Sequence, residues 1–136
     1  NILKKIKYTN IRIIKPKNRI SGNDYLYVLF KYKDGYLLKK RKELYQGYMY
    51  KMKTNFHDEA MEEVLKKFSL DIDDKKYKGK ISNGDKIYYC YLIEVDQNIT
   101  GFEAVNMYDL VNFKADDFNK QAILSIILKE DFNIAV

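Results

Sequence analysis

Three glutamates, Glu59, Glu62 and Glu63, stand in the stretch HDEAMEEVLKKFSL, from His57 to Leu70. Carboxylates at such spacing can share a helix face, and carboxylate oxygens are what a magnesium ion takes when it is held against a phosphate. Lys66 and Lys67 follow at once. Ammonium groups cannot ligate a cation and repel it, so the glutamates read as solvated residues on an amphipathic helix. Other residues offer little chemistry. His57, the sole histidine, reads as a surface or capping residue at the helix start. Cys90 stands among Tyr88, Tyr89 and Tyr91 in a strand and reads as a small buried hydrophobe. No Cys/His spacing suggests zinc, and no glycine-rich phosphate loop is present. The catalytic and metal-ligand assignments are therefore both none.

The elements that carry these residues can be placed from pattern. YLYVLFKYK, residues 25–33, is dense in aromatic and β-branched residues and predicts a strand. Asp34-Gly35 predicts a tight hairpin, with the glycine supplying positive φ, and YLLKKR returns as a second strand over 36–41. A break over 42–47 precedes an extended run, YMYKMK, at 48–53. Ala60, Met61, Val64, Leu65 and Phe68 recur at helical spacing and predict a helix from about Asp58 to Ser69. Its acids cluster in the first turn and its lysines in the last, as the helix dipole favours. YKGKI and KIYYCYLIEV flank Ser82-Asn83-Gly84-Asp85, a second hairpin signal. A helical turn near 107–111 and a helix near 116–129 close the chain. This order predicts an α/β (α+β) domain with a mixed sheet packed between helices.

With 136 residues, 46% hydrophobic and 32% charged, the chain has the size and composition of one globular domain. Residues 1–23 read as a basic lead-in and 24–136 as the domain. The chain begins at Asn1, without an initiator Met, so it is expected to be a piece of a longer protein. One cysteine excludes an internal disulfide framework and favours a reducing compartment, so the expected location is cytoplasmic, or nucleoid-associated in a bacterium. No apolar run approaches the roughly 18 residues of a membrane span, and no membrane partner is expected. Charge is uneven: residues 1–55 hold fifteen Lys or Arg against three acids, the remainder ten against sixteen. Such asymmetry suits a polyanion, although lysines that merely solubilise exposed strands would produce it too.

The run VLFKYKDGYLLKKRKELYQGYMYKM followed by DEAMEEVLKKFSLDI resembles the Nudix arrangement, over about residues 24–130. The family's signature is G-x5-E-x7-R-E-U-x-E-E-x-G-U, with U aliphatic. With Glu63 set on the E of R-E-U, Glu62 takes the Arg position, Lys66-Lys67 the Glu pair and Ser69 the late Gly. Counting back eight from Glu62 reaches Thr54 instead of Glu. The box is degenerate, which argues against pyrophosphate hydrolysis. Leu44-Tyr45-Gln46-Gly47-Tyr48-Met49-Tyr50-Lys51-Met52 is similar to the L-L-x-G-L-W-E-F-P run in the C-terminal domain of adenine DNA glycosylases, which carry a metal-free Nudix-like domain. Here Met49 and Met52 replace Trp and Pro. Ile81-Ser82-Asn83 falls where that family has its Phe-Ser-His loop.

The resemblance implies a domain that binds double-stranded DNA and helps locate 8-oxoguanine opposite adenine, without catalysing base removal itself. Ser82, and Asn83 beside it, would read the altered base edge. Lys39, Lys40 and Arg41 would contact phosphates, unless they are simply an exposed strand end. The domain would hold no cofactor. An iron–sulfur cluster would belong to an N-terminal catalytic domain of the same chain. Two alternatives stay open: a divergent hydrolase of a nucleoside diphosphate derivative, recruiting Glu59, Glu62 or Glu63 for magnesium, and a catalytically inert interaction module.

Overall fold

The computed structural model describes residues 23–106 and 109–136. All but the last residue of the lead-in, and the start of the helical turn expected from Met107, lie outside them. The elements are β1 (Asp24–Tyr32), β2 (Gly35–Arg41), β3 (Leu44–Gln46), β4 (Tyr48–Lys51), α1 (His57–Lys67), β5 (Lys76–Asn83), β6 (Lys86–Val95), β7 (Glu103–Asn106), a 3-10 turn (Asp109–Asn112), α2 (Asp117–Leu128) and β8 (Phe132–Ala135). The sheet runs β3-β2-β1-β6-β5-β8, with β4 on β1 and β7 on β2. β1 and β6 are parallel throughout, from Asp24 opposite Ile87 to Tyr32 opposite Val95. The sheet is mixed and lies between the two helices, as the residue pattern predicts.

Alternation along the strands assigns the two faces. Leu26, Val28 and Phe30 of β1 join Tyr89, Tyr91 and Ile93 of β6 under Ala60, Met61, Val64 and Leu65 of α1. Tyr27 and Leu29 join Tyr88 and Cys90 under Ala122, Ile123 and Ile126 of α2. Both faces of the central strands are covered, which is why KIYYCYLIEV is apolar nearly throughout.

Tyr27 connects three elements. Its hydroxyl accepts the Gly47 N–H at 2.9 Å and donates to Asn119 Oδ1. Asn119 is held in turn by the N-cap of α2, since Asp116 Oδ1 accepts its backbone N–H at 2.8 Å and its Nδ2 at 3.0 Å. Gly47 is needed for this approach, because a Cβ there would stand 2.4 Å from the Tyr27 ring.

Several details depart from the residue pattern. In the first hairpin Lys33, not a glycine, has positive φ (53°). Gly35 opens β2 instead, where a Cβ would meet the Val105 carbonyl oxygen at 2.2 Å. The expected break over 42–47 contains β3, turned by Lys42 and Glu43 at φ 51° and 69°. β7 and β8 are edge strands whose short runs carry little pattern. α1 ends with Ser69 at φ 56°, its N–H on Lys66 O at 3.1 Å and that of Leu70 on Leu65 O at 2.8 Å. This is a Schellman end, which favours glycine at the left-handed residue.

Two substitutions test these constraints in denaturant unfolding. Ser69→Gly should raise stability by about 1 kcal/mol, because the left-handed cost is removed. Gly47→Ala should lower it by about 1–3 kcal/mol, through the clash with Tyr27.

Candidate nucleic-acid interface

The glutamates of α1 are engaged separately. Tyr50 donates to Glu63 Oε1 at 2.7 Å, Thr54 Oγ1 to Glu59 Oε1 at 3.3 Å, and Lys75 to Glu62. The bond to Glu63 pushes the Tyr50 hydroxyl up to about 12. Lys67 Nζ lies 5.9 Å from the Tyr48 ring centroid. Among the described residues no group of three His, Cys, Asp or Glu side chains is arranged to hold a metal ion.

The register places a set of polar residues along one end of the sheet. Lys51, Tyr25, Tyr88, Ile81 and Ile134 form a single rung across β4, β1, β6, β5 and β8. One position toward the rim, Asp24, Ile87, Ser82 and Ala135 form the next. One position inward, Lys80 pairs with Tyr89. Lys80 and Ser82 therefore share the α1 face, while Asn83 and Lys86 close the hairpin beside them. Lys86 Nζ sits 5.6 Å from the Tyr25 ring centroid. Lys51, Lys53 and Lys86 are exposed and Lys80 is half-buried. Of the acids at this rim, Asp24 is buried and Asp85 accepts from Asn23 Nδ2 at 3.0 Å. Glu63 on Tyr50 and Glu59 on Thr54 also stand near this end, while a cavity of about 800 Å³ at the opposite end is lined by Asp71, Asp74, Glu94 and Asp96 with Lys31 and Lys76.

Ser82 is not on a turn, contrary to the residue pattern. It is a half-buried strand residue paired with Ile87 on one side and Ala135 on the other, and its carbonyl accepts the Val136 N–H at 2.8 Å. The turn itself is Gly84-Asp85, with Gly84 at φ 65°. β8 was not legible in the sequence, so the second pairing of Ser82 could not be foreseen. Asn83, exposed at the strand end, is the more accessible of the two.

Lys39, Lys40 and Arg41 do not join this rim as one cluster. They lie where β2 leaves β1 to pair with β3, and β4 takes the vacated edge of β1. Alternation separates their side chains: Lys39 Nζ lies 4.9 Å from the Phe102 centroid on the α1 face, Lys40 Nζ 5.3 Å from Tyr45 on the other. Arg41 is exposed. β1 and β6 stand between this strand and β5, a separation of roughly 14 Å at ordinary strand spacing. The sequence reading missed Lys51, Lys53, Lys80 and Lys86. Strand register brings Lys51, Lys80 and Lys86 to one end of the sheet, Lys80 on the α1 face and the other two on the α2 face, and Lys53 follows in the loop.

His57 is not a surface or capping residue. Its ring stacks on Tyr77 (4.6 Å, 25°) and on Tyr89 (4.5 Å, 14°), and Nδ1 is 2.7 Å from the Tyr91 hydroxyl. Two near-parallel rings at that spacing must occupy opposite faces, so the imidazole is sandwiched. Cys90 is buried, and burial pushes its thiol up to about 12, far from a nucleophile's range.

With this geometry in hand, known structures can be compared. The C-terminal domain of mouse MUTYH, solved in complex with human PCNA, superposes with a TM-score of 0.57 at 14% identity, over 75% of this chain and 85% of that one. The fold is Nudix-like. A mutator MutT protein from Bacillus halodurans superposes with a TM-score of 0.55 at 9% identity, over 82% and 88%. No family model and no curated protein matches the sequence.

Burial pushes the His57 imidazole below its ordinary range, with Asp58 opposing. The folded chain thus binds this proton less tightly than the unfolded one. The stabilisation is complete above about pH 6.5, the unfolded value, and is lost as pH falls through the window below it. The thermal midpoint should fall as pH drops from about 7 to about 5, and His57→Phe should flatten that part of the profile.

Proposed function

We propose that this chain is the recognition domain of an adenine DNA glycosylase, binding DNA that contains 8-oxoguanine opposite adenine. The observation that carries the reading is the rim at one end of the sheet, where Lys80 and Lys86 stand beside Ser82 and Asn83 and Lys51 lies at the same level two strands further across. The lysines contact phosphates, which set register and orientation, and the polar pair approaches the base edge. A serine hydroxyl donates and accepts, and an amide does both, so either group can distinguish the altered N7/O8 edge of the oxidised base. The likeness to the C-terminal domain of mouse MUTYH supports the same reading. Lys39, Lys40 and Arg41 provide a second, outlying phosphate contact. Base removal, and any iron–sulfur cluster, belongs to an N-terminal catalytic domain of the same chain.

Hydrolysis of a nucleoside diphosphate derivative is the weaker reading, despite the similarity to a MutT protein. Lys66 and Lys67 stand at the signature's carboxylate positions, and Glu59, Glu62 and Glu63 make separate contacts. A protein partner is a second reading, favoured by the MUTYH domain having been solved with PCNA.

Binding to duplexes with an 8-oxoguanine·adenine pair and to undamaged controls, at two salt concentrations, tests the first reading. Affinity should fall steeply with salt as counterions are released. Lys51→Ala with Lys86→Ala should weaken binding to both duplexes alike and flatten the salt slope by about 2. Asn83→Ala or Ser82→Ala should reduce the preference for the lesion. Equal affinity of the wild-type chain for both duplexes would remove lesion recognition from the rim, and an absence of binding would remove DNA altogether.

A further inference from the structure

We propose that the loop from Lys51 to Phe56 is itself a nucleic-acid contact, in which the Phe56 ring stacks on an unpaired or weakly paired base of DNA and Lys51 and Lys53 hold the flanking phosphates. This rests on the DNA-binding reading and goes beyond it, because nothing in the signature or in the rim residues calls for an aromatic here.

Phe56 is unfavourable for stability on two counts. It is the N-cap of α1, with extended backbone (φ −109°, ψ 113°), and provides no side-chain hydrogen bond to the helix. Ser, Thr, Asp and Asn are preferred there because their oxygen takes one of the first free N–H groups. The residue is also 49% exposed, although Met52 and Ala60, four positions to either side, are in the core. A residue that violates local preference without a packing gain is where function explains the choice.

The backbone that presents the ring is well held. The Phe56 N–H donates to Thr54 Oγ1 at 3.2 Å, and its carbonyl accepts the Ala60 N–H at 3.1 Å. Its neighbour His57 is clamped between Tyr77 and Tyr89. On the other flank, Met52 is buried and its N–H donates to Asp24 O at 2.9 Å. The loop is thus pinned at both ends, leaving Lys51, Lys53 and Phe56 exposed.

Charge fits a polyanion on this side. Lys51 lies on the same rung as Tyr25 at the rim, and Lys53 follows it into the loop. Of the two acids directly after His57, Glu59 accepts from Thr54 Oγ1 at 3.3 Å, and Asp58 Oδ1 accepts the Glu59 N–H at 2.9 Å. Lysines tracking a backbone while an aromatic ring stacks on a base is the usual combination for unpaired nucleic acid, and it tolerates any base because each has a π face. A mismatched or damaged pair yields its base most easily.

The chain contains no tryptophan, so Phe56→Trp installs a single emitter at the proposed contact. The experiment titrates it with a mismatched duplex, a fully paired duplex and a single strand, following tryptophan emission and the anisotropy of the labelled DNA together. Quenching that tracks binding, strongest for the single strand and the mismatch, is expected. Phe56→Ala should weaken those complexes roughly tenfold. Phe56→Ser should raise the denaturant midpoint by restoring a cap, yet weaken binding, a pairing of effects that a purely structural role would not produce. Binding with undiminished emission and an unaffected Phe56→Ala variant would overturn this contact and leave the rim reading intact. An absence of binding to all three DNAs would overturn both.

Discussion

The parallel pairing of β1 with β6 is the constraint on which the rest of the structure depends. Both strands are covered on both faces, so each contributes alternate residues to the α1 side and the α2 side. Because they run in parallel and in step, the start of β1 is level with the start of β6. Antiparallel β5 then brings its last residues, Ser82 and Asn83, to that end, and antiparallel β4 brings Lys51. The candidate interface is therefore a consequence of strand direction. The bonds around Tyr27 secure this arrangement by tying β1 to the Gly47 loop and to the start of α2. Each buried polar group there has a partner, so the network costs little and specifies one packing.

Strand direction also sets the level at which each charged strand residue falls. Lys51, Lys53, Lys80 and Lys86 lie toward one end of the sheet, while Asp71, Asp74, Glu94 and Asp96 line the cavity at the other. The field of such exposed charges is screened by salt. Within α1, Lys66 and Lys67 suit the helix end. They lie in the last turn, where the dipole favours cations, ahead of a Schellman end closed by Ser69 and Leu70. The helix is explained by its packing and by its termini.

The sequence by itself determined the helices, the long strands and the layered arrangement, because burial on one or both faces leaves a periodic imprint that local reading recovers. The edge strands β3, β7 and β8 left no such imprint; they are three or four residues long and stabilised by partners remote in the chain. Long-range packing was needed to show that Ser82 is a doubly paired strand residue and that His57 is clasped between Tyr77 and Tyr89. The same holds for the gathering of Lys51, Lys80 and Lys86 at one rim. The physical reason is register: a side chain's face and level in a sheet follow from which residue lies opposite it, and that partner is set by long-range pairing.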